Sequence, residues 1–193
     1  MEIENSSTST RKPRADGQRN RDLIVRVAKE AFAANGAGAS LDDIAKKAGV
    51  GPGTLYRHFP TREDLFEAVY RAEVEKLAEA AVEFGRTLSP LEAIRAWLFL
   101  FIDYLATKKI ISAGLGSLVS VNRVVDENKP KVHAAVKSIF ERAVEAGEIR
   151  ADVDPVGIVL AIVGVTFFGT TEDWRKSAES LVDILIQGSR PQN

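Results

Sequence analysis

The stretch IAKKAGVGPGTLYRHF, Ile44 to Phe59, puts two lysines, three glycines, a proline, a tyrosine, an arginine and a histidine into sixteen residues. Its GVGPG segment lacks the Lys-Ser/Thr ending of a phosphate-binding loop and follows no strand, so the glycines serve turns. No G-x-S-x-G elbow accompanies it, and His58 has no Ser or Asp relay at a recognisable spacing. A helix-turn-helix accounts for the residues one by one. Small Ala45 lets the paired helix approach closely, and Gly49 permits a left-handed turn. Ile44, Val50 and Leu55 point into a shared core. Pro52 suits a first helical turn, and Pro60 blocks the helix beyond His58 or Phe59. Leu55 and Phe59 lie one turn apart and face inward. Thr54, Arg57 and His58 are left outward with Tyr56 at the flank, a donor-rich face suited to phosphate oxygens and base edges.

Upstream, Ile24, Val27, Ala28, Ala31 and Phe32 follow the i, i+3, i+4, i+7, i+8 rhythm of an amphipathic helix that Asn35-Gly36 ends. Ser40-x-x-Asp43 resembles a capping box for the helix carrying Ile44, and Thr61-x-x-Asp64 caps a longer one reaching about Phe84. Ser89-Pro90-Leu91-Glu92 combines cap, first-turn proline and capping-box glutamate. Beyond it the pattern predicts helices over 90–107, 109–126, 129–147, 154–169 and 173–188, with breaks near Gly114-Leu115-Gly116, Lys129-Pro130, Gly147 and Gly169. No alternating strand pattern appears. The expectation is an all-α chain of nine or ten helices.

With 193 residues the chain forms one large domain or two small ones. No cysteine is present, which excludes disulfides, thiolate nucleophiles and cysteine-bound zinc and fits a reducing cytoplasm. His58 and His133 lie far apart, so no histidine-rich metal site is expected, although counting leaves carboxylate sites open; no metal, no catalytic residue and no cofactor is the expectation. Residues 1–17 read as a disordered basic tail without the apolar run of a secretory signal. The uncharged run PVGIVLAIVGVTFFGTT would span about 25 Å as a helix, short of a ~30 Å hydrocarbon core. It reads as a buried helix at a subunit interface, with no membrane partner. Net charge is −1, yet Arg11 to Arg62 holds eleven Lys plus Arg against five Asp plus Glu, and the residues from Glu63 onward fifteen against twenty. A basic first third and an acidic remainder point to a polyanion partner for the first part.

The segment SLDDIAKKAGVGPGTLYRHFPTREDLFEAV, Ser40 to Val69, resembles the DNA-binding domain of the TetR family of bacterial transcriptional regulators, and the likeness extends upstream through the first helix. It implies a three-helix DNA-binding head, residues 18–62, joined by a connecting helix to an all-α effector-binding and dimerisation domain, 63–193. By the family's pattern the third helix, from Gly51 through Gly53 to His58, enters the major groove of an operator bound by a homodimer. Tyr56 then meets phosphate, Arg62 clamps the backbone, and Ser40 lies near a phosphate. The connection GAGAS lacks the aromatic that many relatives carry.

The second part carries no comparable motif. Trp97, Phe101 and Tyr104 fall on one helical stripe, and with Asn122 and Phe167 they are candidates to line a pocket for a largely hydrophobic small molecule, or else are packed core. Gly157, Ala161, Gly164 and Phe168, with Leu181, Ile184 and Leu185, suit a four-helix dimer interface, monomer core being the alternative. The reading is a ligand-responsive repressor acting in the cytoplasm on a near-palindromic operator. Two rivals remain: a DNA-binding or architectural protein without a ligand, and an all-α binder or enzyme with a vestigial head.

Overall fold

The computed structural model describes residues 12–114, 118–168 and 173–191, apart from the side chains of residues 12–14, 37, 111–114, 118–122, 124, 167 and 168. These residues form eight α-helices and one 3-10 turn. The chain divides into two compact units between Val69 and Tyr70, inside α4.

In the first unit, α1 (Lys12–Asn35) ends where Gly36 adopts φ +60° and starts the turn Gly36–Gly38. The helix begins inside the segment expected as a tail; residues 1–11 lie outside the described residues. Ile24, Val25, Ala28, Ala31 and Phe32 are buried and Val27 only half-buried, so the inward stripe takes Val25 in its place. α2 (Leu41–Lys47) and α3 (Pro52–His58) pack on this stripe and on each other. Phe66, in the second turn of α4 (Arg62–Thr87), stacks on Phe32 with ring centroids 4.1 Å apart. The reciprocal box at the start of α4 is formed: Asp64 Oδ2 accepts from the Thr61 N–H and hydroxyl at 2.9 and 2.7 Å.

The second unit is built around α5 (Pro90–Gly114), which packs against α6 (Leu118–Glu145), α7 (Pro155–Phe168) and α8 (Trp174–Gly188). Its start follows the sequence, Glu92 accepting from the Ser89 N–H and hydroxyl at 3.2 and 2.6 Å. Charged pairs set the helix registers. Arg95 binds Asp183 through two bonds of 2.7 and 3.2 Å, and Asp103 binds Arg175. Moving eight residues forward on α5 therefore moves eight backward on α8: the helices are antiparallel, and the inverted polarity of the two pairs opposes a slip. α4 and α6 run parallel, with Arg71 on Glu127 at 3.2 Å and Glu75 on Lys131 one turn later on both helices. Exposed pairs of this kind are each worth under ~1 kcal/mol, so they select an arrangement that buried apolar area stabilises.

Two expected helix breaks do not occur. α5 runs unbroken through 107–109, and α6 runs through Pro130. Pro130 removes one N–H bond to Asp126. Both residues are exposed, so water replaces the lost donor, while the pairs of Glu127 and Lys131 with α4 hold the helix on either side. The buried run Val132, Ala135, Val136, Ile139, Phe140 and Ala143 then outweighs the local defect. The break at Gly147 is present, with φ +70°. The one at Gly169 lies outside the described residues. Among the described residues no helix is long and apolar enough to cross a membrane.

Candidate nucleic-acid interface and effector domain

The turn between α2 and α3 is held by backbone bonds that only one chain conformation allows. Ser40 caps α2, its Oγ accepting from the Asp43 N–H at 3.3 Å. At the other end the Val50 N–H reaches Ala45 O at 3.0 Å and the Gly49 N–H reaches Lys46 O at 3.1 Å, with Gly49 at φ +67°. This 6→1 and 5→2 pair is the Schellman closure, and it explains the glycine. Gly51 then caps α3, with Pro52 as its first residue. Ile44, Leu55 and Phe59 are buried as expected, and Val50 is half-buried.

What α3 presents outward is polar or bare. Tyr56 is 46% exposed, Gly51, Gly53 and Arg57 are exposed, and Thr54 and His58 are half-buried. A Cβ added at Gly53 meets nothing within 4 Å, and its φ is not positive. The fold itself therefore gives no reason for glycine in the first turn of this helix. Arg62 donates to Ala39 O at 2.7 Å, which sets its guanidinium beside the Ser40 cap and ties α4 to the α2 start. It also fixes the connection that lacks an aromatic: Ala39 is buried under that contact. Sequence reading missed Arg21, whose guanidinium lies 5.2 Å from the centre of the Phe59 ring and braces the end of α3 from α1.

In the second unit Trp97, Phe101 and Tyr104 form a stacked column, with ring centroids 5.6 and 5.5 Å apart, all buried. Trp97 Nε1 donates to Leu77 O of α4 at 2.8 Å. The column continues to Tyr70 of α4, whose hydroxyl is hydrogen-bonded to that of Tyr104. Burial pushes both phenols above their ordinary range. Lys108, one turn beyond Tyr104, is held below the usual lysine range by burial and then by Lys129. The side chains of Asn122 and Phe167 lie outside the described residues. On α7 and α8, Leu160 is 60% and Ile184 66% exposed, Ala161 is exposed, and Gly157, Gly164, Leu181 and Leu185 are half-buried. Gly157 has a local explanation, since a Cβ there would lie 3.1 Å from the Asp154 carboxylate that accepts its N–H. The Phe168 side chain is outside the described residues.

A bundle of short helices closed by a glycine turn, with a donor-bearing helix exposed beside it, defines a helix-turn-helix DNA-binding protein. Residues 24–69 match the model for bacterial regulatory proteins of the tetR family, and residues 89–191 the model for the C-terminal domain of SbtR-like transcriptional regulators. The chain belongs to the TetR family of DNA-binding transcriptional regulators. It is similar to a crystallised TetR transcriptional regulator from Streptomyces coelicolor, at 37% identity and TM-score 0.78 over 90% of this chain and 99% of that one. A TetR regulatory protein from Mycobacterium vanbaalenii aligns at 30% identity and TM-score 0.73 over 92% and 99%. The HTH-type transcriptional repressor BepR of Brucella suis is 25% identical over 93% of this chain and 91% of its own.

Proposed function

We propose that the protein is a homodimeric repressor that binds a near-palindromic operator in the cytoplasm and leaves it when a largely hydrophobic small molecule occupies the second unit. The observation that carries the DNA half is the outward face of α3: Thr54, Tyr56, Arg57 and His58 offer donors around a glycine, Gly53, that packing within the chain does not require. Gly51 and Gly53 let a phosphate backbone come close, Tyr56 and Ser40 bind phosphate, and Arg57 reads a base edge. Arg62 adds charge at the α2 start. Leu160, Ala161 and Ile184 support dimerisation through α7 and α8, because two large apolar side chains exposed on adjacent helices are costly in a monomer. The aromatic column supports an apolar effector with few polar anchors, since the hydroxyls of Tyr70 and Tyr104 are already paired with each other.

Release is a population shift: an effector that binds one conformation better draws the dimer away from the spacing of about 34 Å that two successive major grooves demand. The test is to select fragments from random DNA with the purified full chain and sequence them. An enriched inverted repeat, lost from the retained pool on addition of an apolar compound that raises the melting temperature, is the expected result. Enrichment of no motif at low salt overturns the repressor reading.

A further inference from the structure

A cleft of about 460 Å³ opens between the second half of α6 and the segment leading into α7. That size falls within the ~300–1,000 Å³ range of small-molecule sites. Phe140 and Val144 of α6 and Val153 and Pro155 opposite form its apolar walls. The opposite wall is held firmly. α6 stops at Gly147, where the Glu148 N–H reaches Ala143 O and the Gly147 N–H reaches Val144 O, both at 2.9 Å. Arg150 then binds Gly188 O at 2.8 Å and Asp152 at 2.9 Å, and its N–H reaches Ser189 O at 3.0 Å, fastening the segment to the end of α8. Asp154 closes it by accepting from the Val156 and Gly157 N–H groups at 3.0 Å.

The remaining lining is charged and unbalanced. Glu141 and Glu145 stand at i and i+4 on α6, a like-charge spacing that weakens a helix by a few tenths of a kcal/mol. Neither carboxylate has a hydrogen-bond or ion-pair partner among the described residues. Lys137, one turn earlier, is the one cation lining the cleft, and Arg150 behind the opposite wall is spent on Asp152 and Gly188 O. A local conflict of this kind beside a preformed apolar cleft marks a place where something outside the chain completes the arrangement. A bare divalent ion does not fit, because apolar walls supply none of the six or more oxygens that such ions take.

We propose that this cleft is a binding site for a small organic cation, an amine or quaternary ammonium. Its apolar body lies against Phe140, Val144, Val153 and Pro155, and its charge sits at Glu141 and Glu145. The site is separate from the Trp97–Tyr104 column and gives the second unit a second ligand input of opposite polarity to the DNA-binding head.

Calorimetric titration of the full chain with benzyltrimethylammonium, and with phenylacetate as a body of similar size and opposite charge, tests it. The cation is expected to bind saturably, one per chain, and the acid not at all. The double variant Glu141→Gln/Glu145→Gln, at exposed positions that leave the fold intact, should weaken the cation about tenfold, the scale of two partly exposed charge contacts. Filling the cleft with Val153→Trp should abolish binding without changing any charge. Absence of saturable cation binding, or binding that the glutamine pair leaves unchanged, overturns the proposal.

Discussion

Replacing Gly53 by alanine separates what the head needs to fold from what it needs to hold DNA. The residue sits one position after Pro52 in a helical turn, at a φ that alanine also adopts, and the added methyl group meets nothing within 4 Å. Alanine removes conformational freedom from the unfolded chain at no steric cost in the folded one, so Gly53→Ala should stabilise the protein by about 0.4–1 kcal/mol. For a chain of this length that raises the melting temperature by roughly 1–4 °C. On the DNA side the sign reverses. If a phosphate backbone packs against the bare Cα, a methyl group pushes it outward and operator affinity should fall by about tenfold or more, ~1.4 kcal/mol. Gly51 makes a poor control, because as the cap of α3 it has a structural role that alanine fills badly. Urea unfolding and fluorescence anisotropy on a labelled operator give the two numbers. Reduced stability, or stability gained with operator affinity unchanged, refutes the reasoning that α3 meets DNA through this glycine.

Operator affinity should fall steeply with salt, by about 0.9 log units per tenfold salt for each phosphate neutralised; a flat titration contradicts the basic head. Tyr56→Phe should weaken all DNA sequences alike, whereas Arg57→Ala should relax preference at one operator position by ~1–3 kcal/mol, both read by competition binding. Phe101→Ala, which removes the middle of a buried aromatic column, should cost ~3–5 kcal/mol in urea unfolding if the column is packed on all sides. A cost below ~1 kcal/mol shows instead that Phe101 borders open space. Hydrogen bonds from Ser89 hold the Glu92 carboxyl below its ordinary 4.5, so the cap stabilises at neutral pH and that contribution is lost as pH falls below 4.5. Glu92→Gln should therefore destabilise at pH 7 and make little difference at pH 2, checked by thermal melts at both.

The parts of the fold legible in the sequence were those fixed by residues close together in the chain. The Ser40 and Thr61 caps, the Gly49 turn, the inward Leu55 and Phe59 and the start of α5 all depend on partners within five residues. Pro130 misled because its effect depends on distant partners: Glu127 and Lys131 reach α4 fifty-six residues away and hold the helix across it. The unbroken 107–109 segment has a similar origin, since Asp103 to Arg175 and Lys109 over the Trp174 ring tie this part of α5 to α8. At the candidate interface the exposed face of α3 was readable from the two inward residues alone. The bracing of its end by Arg21 was not, because a cation on an aromatic ring leaves no periodic trace, and the Arg62 bond to Ala39 O joins residues that only the folded chain brings together.

The most direct measurement uses the absence of cysteine from the chain. A single cysteine placed at exposed Pro52, at the start of α3, carries a tethered iron chelate that cuts any DNA backbone within its reach. On a selected operator, cleavage should fall in two clusters, one in each half-site, about one helical turn apart. Cleavage spread evenly along the duplex, or none while the protein remains bound, would contradict the placement of α3 in the major groove.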